Sequence, residues 1–141
     1  NNLYRNDSAP EGTLRFVDVA PGLNGQDQAS GMSVSWGDAN RDGRMDLYVG
    51  NMFSSAGRRI ATQGAFSAGS PEDVRRALLR FARGNTLLLN RGDRFEDVSE
   101  PSGVTMGRWA WSSSFADLNN DGWEDLVVAN GYLTTGDTGD L

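Results

Sequence analysis

Cysteine, histidine and lysine are all missing from this chain of 141 residues. Without cysteine there is no disulfide framework and no thiol chemistry. Without histidine the commonest general base and the usual catalytic-metal ligand are absent, so neither a Cys/His nor a Ser/His/Asp site can be assembled from these residues. Positive charge is also scarce. Thirteen arginines face nineteen acidic residues, and the net charge of −6 argues against general nucleic-acid binding, which favours basic surfaces. No apolar run is long enough for a membrane span and no signal peptide is visible. The length suits one ordinary domain core.

Acidic turns stand out against this background. Asp38-Ala39-Asn40-Arg41-Asp42-Gly43-Arg44-Met45-Asp46 and Asp117-Leu118-Asn119-Asn120-Asp121-Gly122-Trp123-Glu124-Asp125 both read D-x-N-x-D-G-x-x-D. Each lies between a short aromatic strand and an apolar strand. Carboxylates at alternate positions of a tight loop repel one another unless a cation lies among them. Calcium, which takes roughly six to eight hard oxygen ligands in a tolerant geometry, is the natural occupant. Two calcium sites are therefore expected. An EF-hand or dockerin loop shares this beginning but needs a carboxylate at position 12, where this chain has Val49 and Val128. The last carboxylate falls earlier, and Leu47-Tyr48-Val49 and Leu126-Val127-Val128 then read as strands. The pattern predicts a strand–loop–strand metal turn. Asp38, Asn40, Asp42 and Asp46 would donate side-chain oxygens and Arg44 its backbone carbonyl. Asp117, Asn119, Asp121, Asp125 and the carbonyl of Trp123 would do the same in the second loop. Gly43 and its counterpart permit a positive φ where a Cβ would be strained.

The loops start 79 residues apart within a longer internal repeat. Asn1-Asn2-Leu3-Tyr4-Arg5-Asn6 matches Asn85-Thr86-Leu87-Leu88-Leu89-Asn90, Phe16-Val17-Asp18-Val19 matches Phe95-Glu96-Asp97-Val98, and Asn51 matches Asn130. Four short strands are predicted in each unit, over 2–5, 15–19, 32–37 and 46–50, then 86–89, 94–98, 109–116 and 125–129. Four strands are the content of one propeller blade. The fold expected is all-β, with two four-stranded propeller-type blades at 1–51 and 85–141, parts of a larger β-propeller. Between them, 52–84 is an insertion. Its first part, through Gly69, is small and polar and reads as a surface loop. Its second part reads as one amphipathic helix over 71–83, with Ser70 as N-cap, Pro71, Glu72 and Asp73 in the first turn, and Gly84 as the stop. Val74, Ala77, Leu78 and Phe81 form its apolar stripe, and Arg75, Arg76, Arg80 and Arg83 a basic face expected to be solvated.

These motifs together resemble the FG-GAP/VCBS repeat proteins, and more narrowly the group that also carries an ASPIC–UnbV domain. The resemblance rests on N-x-L-Y-x-N, F-x-D-V, S-W-G-D-A-N-R-D-G-R-M-D-L-Y-V-G-N and F-A-D-L-N-N-D-G-W-E-D-L-V-V-A-N-G-Y, and covers nearly all of the chain outside 52–70. It implies a β-propeller with calcium in the acidic loops, and a secreted, periplasmic or cell-surface location. Asn40 and Asn119 replace an often acidic ligand, which should weaken affinity without removing the site. Residues 1–141 do not include an ASPIC–UnbV domain, and the chain is expected to be a fragment of a longer protein.

The expected role is a binding or scaffold module with structural calcium, a protein or glycan partner, no nucleic acid, and packing against further blades of the same protein or other chains. The segment itself is not expected to be an enzyme. The alternative is part of a carbohydrate-active lyase or hydrolase whose active site lies on other blades. Asp18 and Asp97 are expected to cap turns. Arg91-Gly92-Asp93 falls where the repeat needs a hairpin turn. Trp36 and Phe115 are expected in the core, while Trp109 and Trp111 alternate along one strand and offer a candidate ligand surface.

Overall fold

All eight strands expected from the sequence form, with bounds shifted by no more than two residues. The structure, a computed structural model, describes residues 1–53 and 55–130. The strands are β1 (Tyr4–Asn6), β2 (Phe16–Asp18), β3 (Gly31–Gly37), β4 (Asp46–Asn51), β5 (Thr86–Asn90), β6 (Phe95–Asp97), β7 (Ala110–Ala116) and β8 (Asp125–Asn130). The part of the second unit beyond residue 130 lies outside the described residues. The chain is mostly β with little helix, and every sheet is antiparallel.

The grouping of strands differs from the grouping of the sequence. A four-stranded sheet runs β3-β4-β5-β6, drawing two strands from each repeat unit, while β1-β2 and β7-β8 are two-stranded. The four strands of one unit therefore do not form one sheet. The cause lies in β4: its apolar run Leu47-Tyr48-Val49 pairs with β3 on one edge and with Thr86–Leu88 of β5 on the other, closing over the insertion.

Alternation along the strands gives this sheet two working faces. On one, Leu47, Val49, Leu88 and Phe95 form the buried core, with Leu3 and Leu23 packed against it. Burying a large aliphatic side chain contributes about 1.5–3 kcal/mol. On the other face β7 lies against β3 and β4. Ser35 donates to the Ser113 hydroxyl at 2.7 Å, Ser33 donates to the Ala110 carbonyl at 3.0 Å, and Tyr48 meets Phe115 edge-on at 6.5 Å. Such close stacking needs small residues: a Cβ at Gly37 would run into the Phe115 ring. Phe115 thus packs against the sheet as expected, but Trp36 remains 42% exposed, its ring tilted by 54° and 6.3 Å from Phe95.

The insertion holds two helices rather than one, α1 (Ser55–Ala61) and α2 (Glu72–Phe81). α1 lies in the stretch read as a surface loop. Pro71, with φ −55° and ψ 150°, occupies the N-cap of α2 and no side chain caps it, so Ser70 does not play that part. No α2 residue is buried, and Val74 and Phe81 of the expected apolar stripe are exposed. Two arginines expected to be solvated instead fasten the C-terminal end to the sheets. Arg80 bridges Asp27 at 3.3 Å and Asp97 at 2.6 Å, and Arg83 reaches Asp97 at 2.9 Å. The two F-x-D-V aspartates do cap turns: Asp18 accepts from Ala20 N–H at 3.0 Å and Asp97 from Ser99 N–H at 3.1 Å. Arg91-Gly92-Asp93 is the β5–β6 turn, with Arg91 N–H donating to the Arg94 carbonyl at 2.8 Å.

Candidate metal centres

Each acidic loop closes a hairpin whose last strand pair is fixed by register: Gly37 opposite Asp46 in one, Ala116 opposite Asp125 in the other. Within the loops the backbone is the same twice over. The fourth position is left-handed at Arg41 (φ 57°) and Asn120 (φ 58°), and the sixth at Gly43 (φ 81°) and Gly122 (φ 83°). The glycines accept this at no steric cost, and asparagine tolerates it. Arginine carries the strain in the first loop.

The hydrogen bonds repeat as closely. Asp38 accepts from the Asp42 and Gly43 amides, each at 2.9 Å, and Asp117 accepts from Asp121 at 3.1 Å and Gly122 at 2.9 Å. Asn40 and Asn119 accept from the same Asp42 and Asp121 amides through their Oδ1 atoms. Asp42 takes the Arg44 amide at 3.0 Å, and Asp121 takes the Trp123 amide at 2.8 Å. The closing carboxylates reach back across the loop, Asp46 to Ala39 N–H and Asp125 to Leu118 N–H, both at 3.0 Å. Asp46 also accepts from Asn90 N–H on β5 at 2.8 Å, so it is tied to three strands of one sheet. Asn90 was not singled out from the sequence, although its recurrence in the N-x-L-Y-x-N motif signals it.

Charge distinguishes the two loops. In the first, Arg44 pairs with Asp42 at 2.5 Å and donates to the Asn90 carbonyl at 2.8 Å. The second has Trp123 at that position, with no cation of its own. Burial pushes the Asp46 carboxyl above its ordinary range; two amide donors oppose this, and the negative neighbours Asp42 and Asp38 add to it. Asp42 is held low because hydrogen bonds from Asn40 and Arg44, together with the Arg44 charge, outweigh its desolvation. Asp121 is held low by the Trp123 amide, then by Asn119, with a contribution from Arg41.

All ten predicted donor residues therefore gather in two matching turns. Their donors suit a hard cation in kind and order. The carboxylates are not drawn together as they stand: among the described residues, no three acidic side chains form a ready metal cage.

The loops also touch each other. The Asp38 amide donates to Oε2 of Glu124 at 2.7 Å, and the Arg41 guanidinium lies 5.1 Å over the Trp123 ring. Neither contact was foreseen from the sequence.

Stacked antiparallel strand pairs, each closed by the same acidic turn, define a β-repeat protein. Residues 1–49 and 76–128 match the FG-GAP-like repeat family, and the chain belongs to it. That family and these sheets are in keeping with a β-propeller-like module. No curated protein and no solved structure matches the chain. Among the described residues no helix is long and apolar enough to cross a membrane.

Proposed function

We propose that the chain is a calcium-stabilised segment of a β-propeller in an exported protein of the ASPIC–UnbV group, acting as a binding or scaffold module. The observation that carries this reading is the recurrence of one loop, with the same two left-handed positions and the same amide-to-carboxylate bonds, at equivalent places in the stack. In this reading β3–β6 form one blade, and β7-β8 and β1-β2 are halves of its neighbours. Calcium would supply charge neutralisation among the carboxylates, at concentrations found outside cells. Asp38, Asn40, Asp42, Asp46 and the Arg44 carbonyl would hold it in one loop, and Asp117, Asn119, Asp121, Asp125 and the Trp123 carbonyl in the other. Calorimetric titration of calcium into metal-stripped protein, with magnesium as control, tests this. Two sites, weak magnesium competition and a raised melting temperature are expected; no calcium binding would refute it.

A second reading has its own observation. The Trp109 and Trp111 rings lie 6.1 Å apart and Trp111 is 47% exposed, a surface on which a sugar ring could stack. It favours a carbohydrate-active protein, as scaffold or as part of a lyase or hydrolase. Glycan-array binding that Trp111→Ala abolishes would support it, and an empty array would count against it.

A further inference from the structure

Glu124 holds the eighth position of its loop, between Trp123 and Asp125, and is not among the expected donors. Its carboxylate turns away from its own loop and receives the Asp38 amide at 2.7 Å, in the loop of the other repeat. Room for this approach comes from Gly37, where a Cβ would stand 2.6 Å from Glu124 Oε2. The Asp38 side chain is at the same time gripped by the Asp42 and Gly43 amides, so Glu124 steadies the residue on which the first loop is folded. The contact runs one way. The eighth position of the first loop is Met45, whose thioether is only a weak acceptor. The Arg41 guanidinium over Trp123 holds the two loops side by side.

We propose that the loops are a coupled pair in which Glu124 is a positioning residue, so that filling the second loop with calcium raises the affinity of the first. This rests on the calcium reading above. The Trp123 carbonyl and the Asp125 carboxylate, which flank Glu124 in the chain, are both donors of the second loop. Fixing them fixes the Glu124 backbone between them, and with it the acceptor presented to Asp38. The first loop then forms its site with less ordering left to do.

The experiment is calcium titration of the chain as it is, Glu124→Ala and Glu124→Gln, each with and without Asp121→Asn. Weakening the second loop with Asp121→Asn, so that it stays empty while the first fills, is expected to weaken the first by about fivefold, a modest coupling on the usual scale. In the Glu124→Ala background the same change should leave the first loop unaffected, and Glu124→Gln, which keeps an acceptor oxygen, should restore part of the coupling. A second readout does not depend on affinities. In Asp42→Asn, calcium at the second loop should slow hydrogen exchange at the Asp38 amide, and Glu124→Ala should abolish that slowing. Two independent sites, with an unchanged first-loop affinity in Asp121→Asn and no effect on Asp38 exchange, would overturn the coupling and leave the calcium reading intact. Absence of calcium binding in the unaltered chain would overturn both.

Discussion

At the scale of single residues, the two loops are alike in backbone and unlike in charge, which gives their variants different signatures. Asp121→Ala removes a donor from a loop without its own cation, so its effect should appear chiefly in calcium, as a fall in melting temperature of several degrees for each ~1 kcal/mol lost. Asp42→Ala also frees Arg44 from its ion pair and should shift melting with and without calcium. Unchanged melting in calcium for both variants would refute the structural role of the ion. Asp97 makes a prediction about pH. Burial raises its carboxyl, but bonds from Ser99 and Arg83 and the Arg83 charge outweigh this, and the net shift is downward from 3.8. A depressed folded-state value contributes stability that is fully present above the unfolded value and is lost as the pH falls through the folded one. Melting temperature should therefore drop on acidification below about pH 4 less steeply in Asp97→Asn than in the parent. Equal slopes would show that another carboxylate governs the acid limb. Much of this scale is legible in the sequence, because Asp38 to Asp46 spell their own turn through local amide bonds. Glu124 is not, since its partner lies 86 residues away and the two meet only through sheet stacking.

At the scale of elements, the strands follow from short runs of β-formers between turn residues, and the structure keeps them almost unshifted. The helices were harder to read. In α1 the sequence Ser-Ala-Gly-Arg-Arg-Ile-Ala offers one large apolar side chain and therefore no stripe to detect. In α2 the stripe is present but only half covered, with Val74 and Phe81 exposed, and the helix is held at one end by arginines that resemble an ordinary solvated face. Substitution should separate the anchors from the surface. Arg80→Ala leaves Asp27, 1% exposed, without its guanidinium partner and should cost about 2 kcal/mol in denaturant unfolding. Arg76→Ala on the exposed side of the same helix should stay within about 0.5 kcal/mol. Similar losses in the two variants would mean that the Arg80 bridge contributes little.

At the scale of the whole molecule, the stack formed by the described residues is covered on its inside and open at both ends. Val34 and Trp36, across from Val49 and Leu47 on the face that carries the core, are 59% and 42% exposed at its β3 edge, and Trp111 and Val127 are 47% and 41% exposed towards the other end. The repeat aligns Val34 and Trp36 with Ser113 and Phe115, which already pack against β3 and β4. The open face of β3 is thus shaped for another copy of the strand pair it stacks upon. The 141-residue chain alone should accordingly self-associate, with a light-scattering mass above 15.2 kDa that rises with concentration. A single monomeric peak with a cooperative melt would sink this expectation. The repeat period was legible in the sequence, but the strand partnership was not. Self-similarity tells which segments are equivalent and is silent about which edges bond, and here β4 chooses β5 across the whole insertion.

That choice of partners lays the two repeats like overlapping courses of brick, the first lending two strands to a sheet that the second completes. A cut at a sequence boundary therefore falls through the middle of a sheet. Gaining or losing a whole unit, by contrast, leaves every inner half-sheet facing an equivalent half, so that an array built this way can change its length by complete units without creating an edge of a new kind.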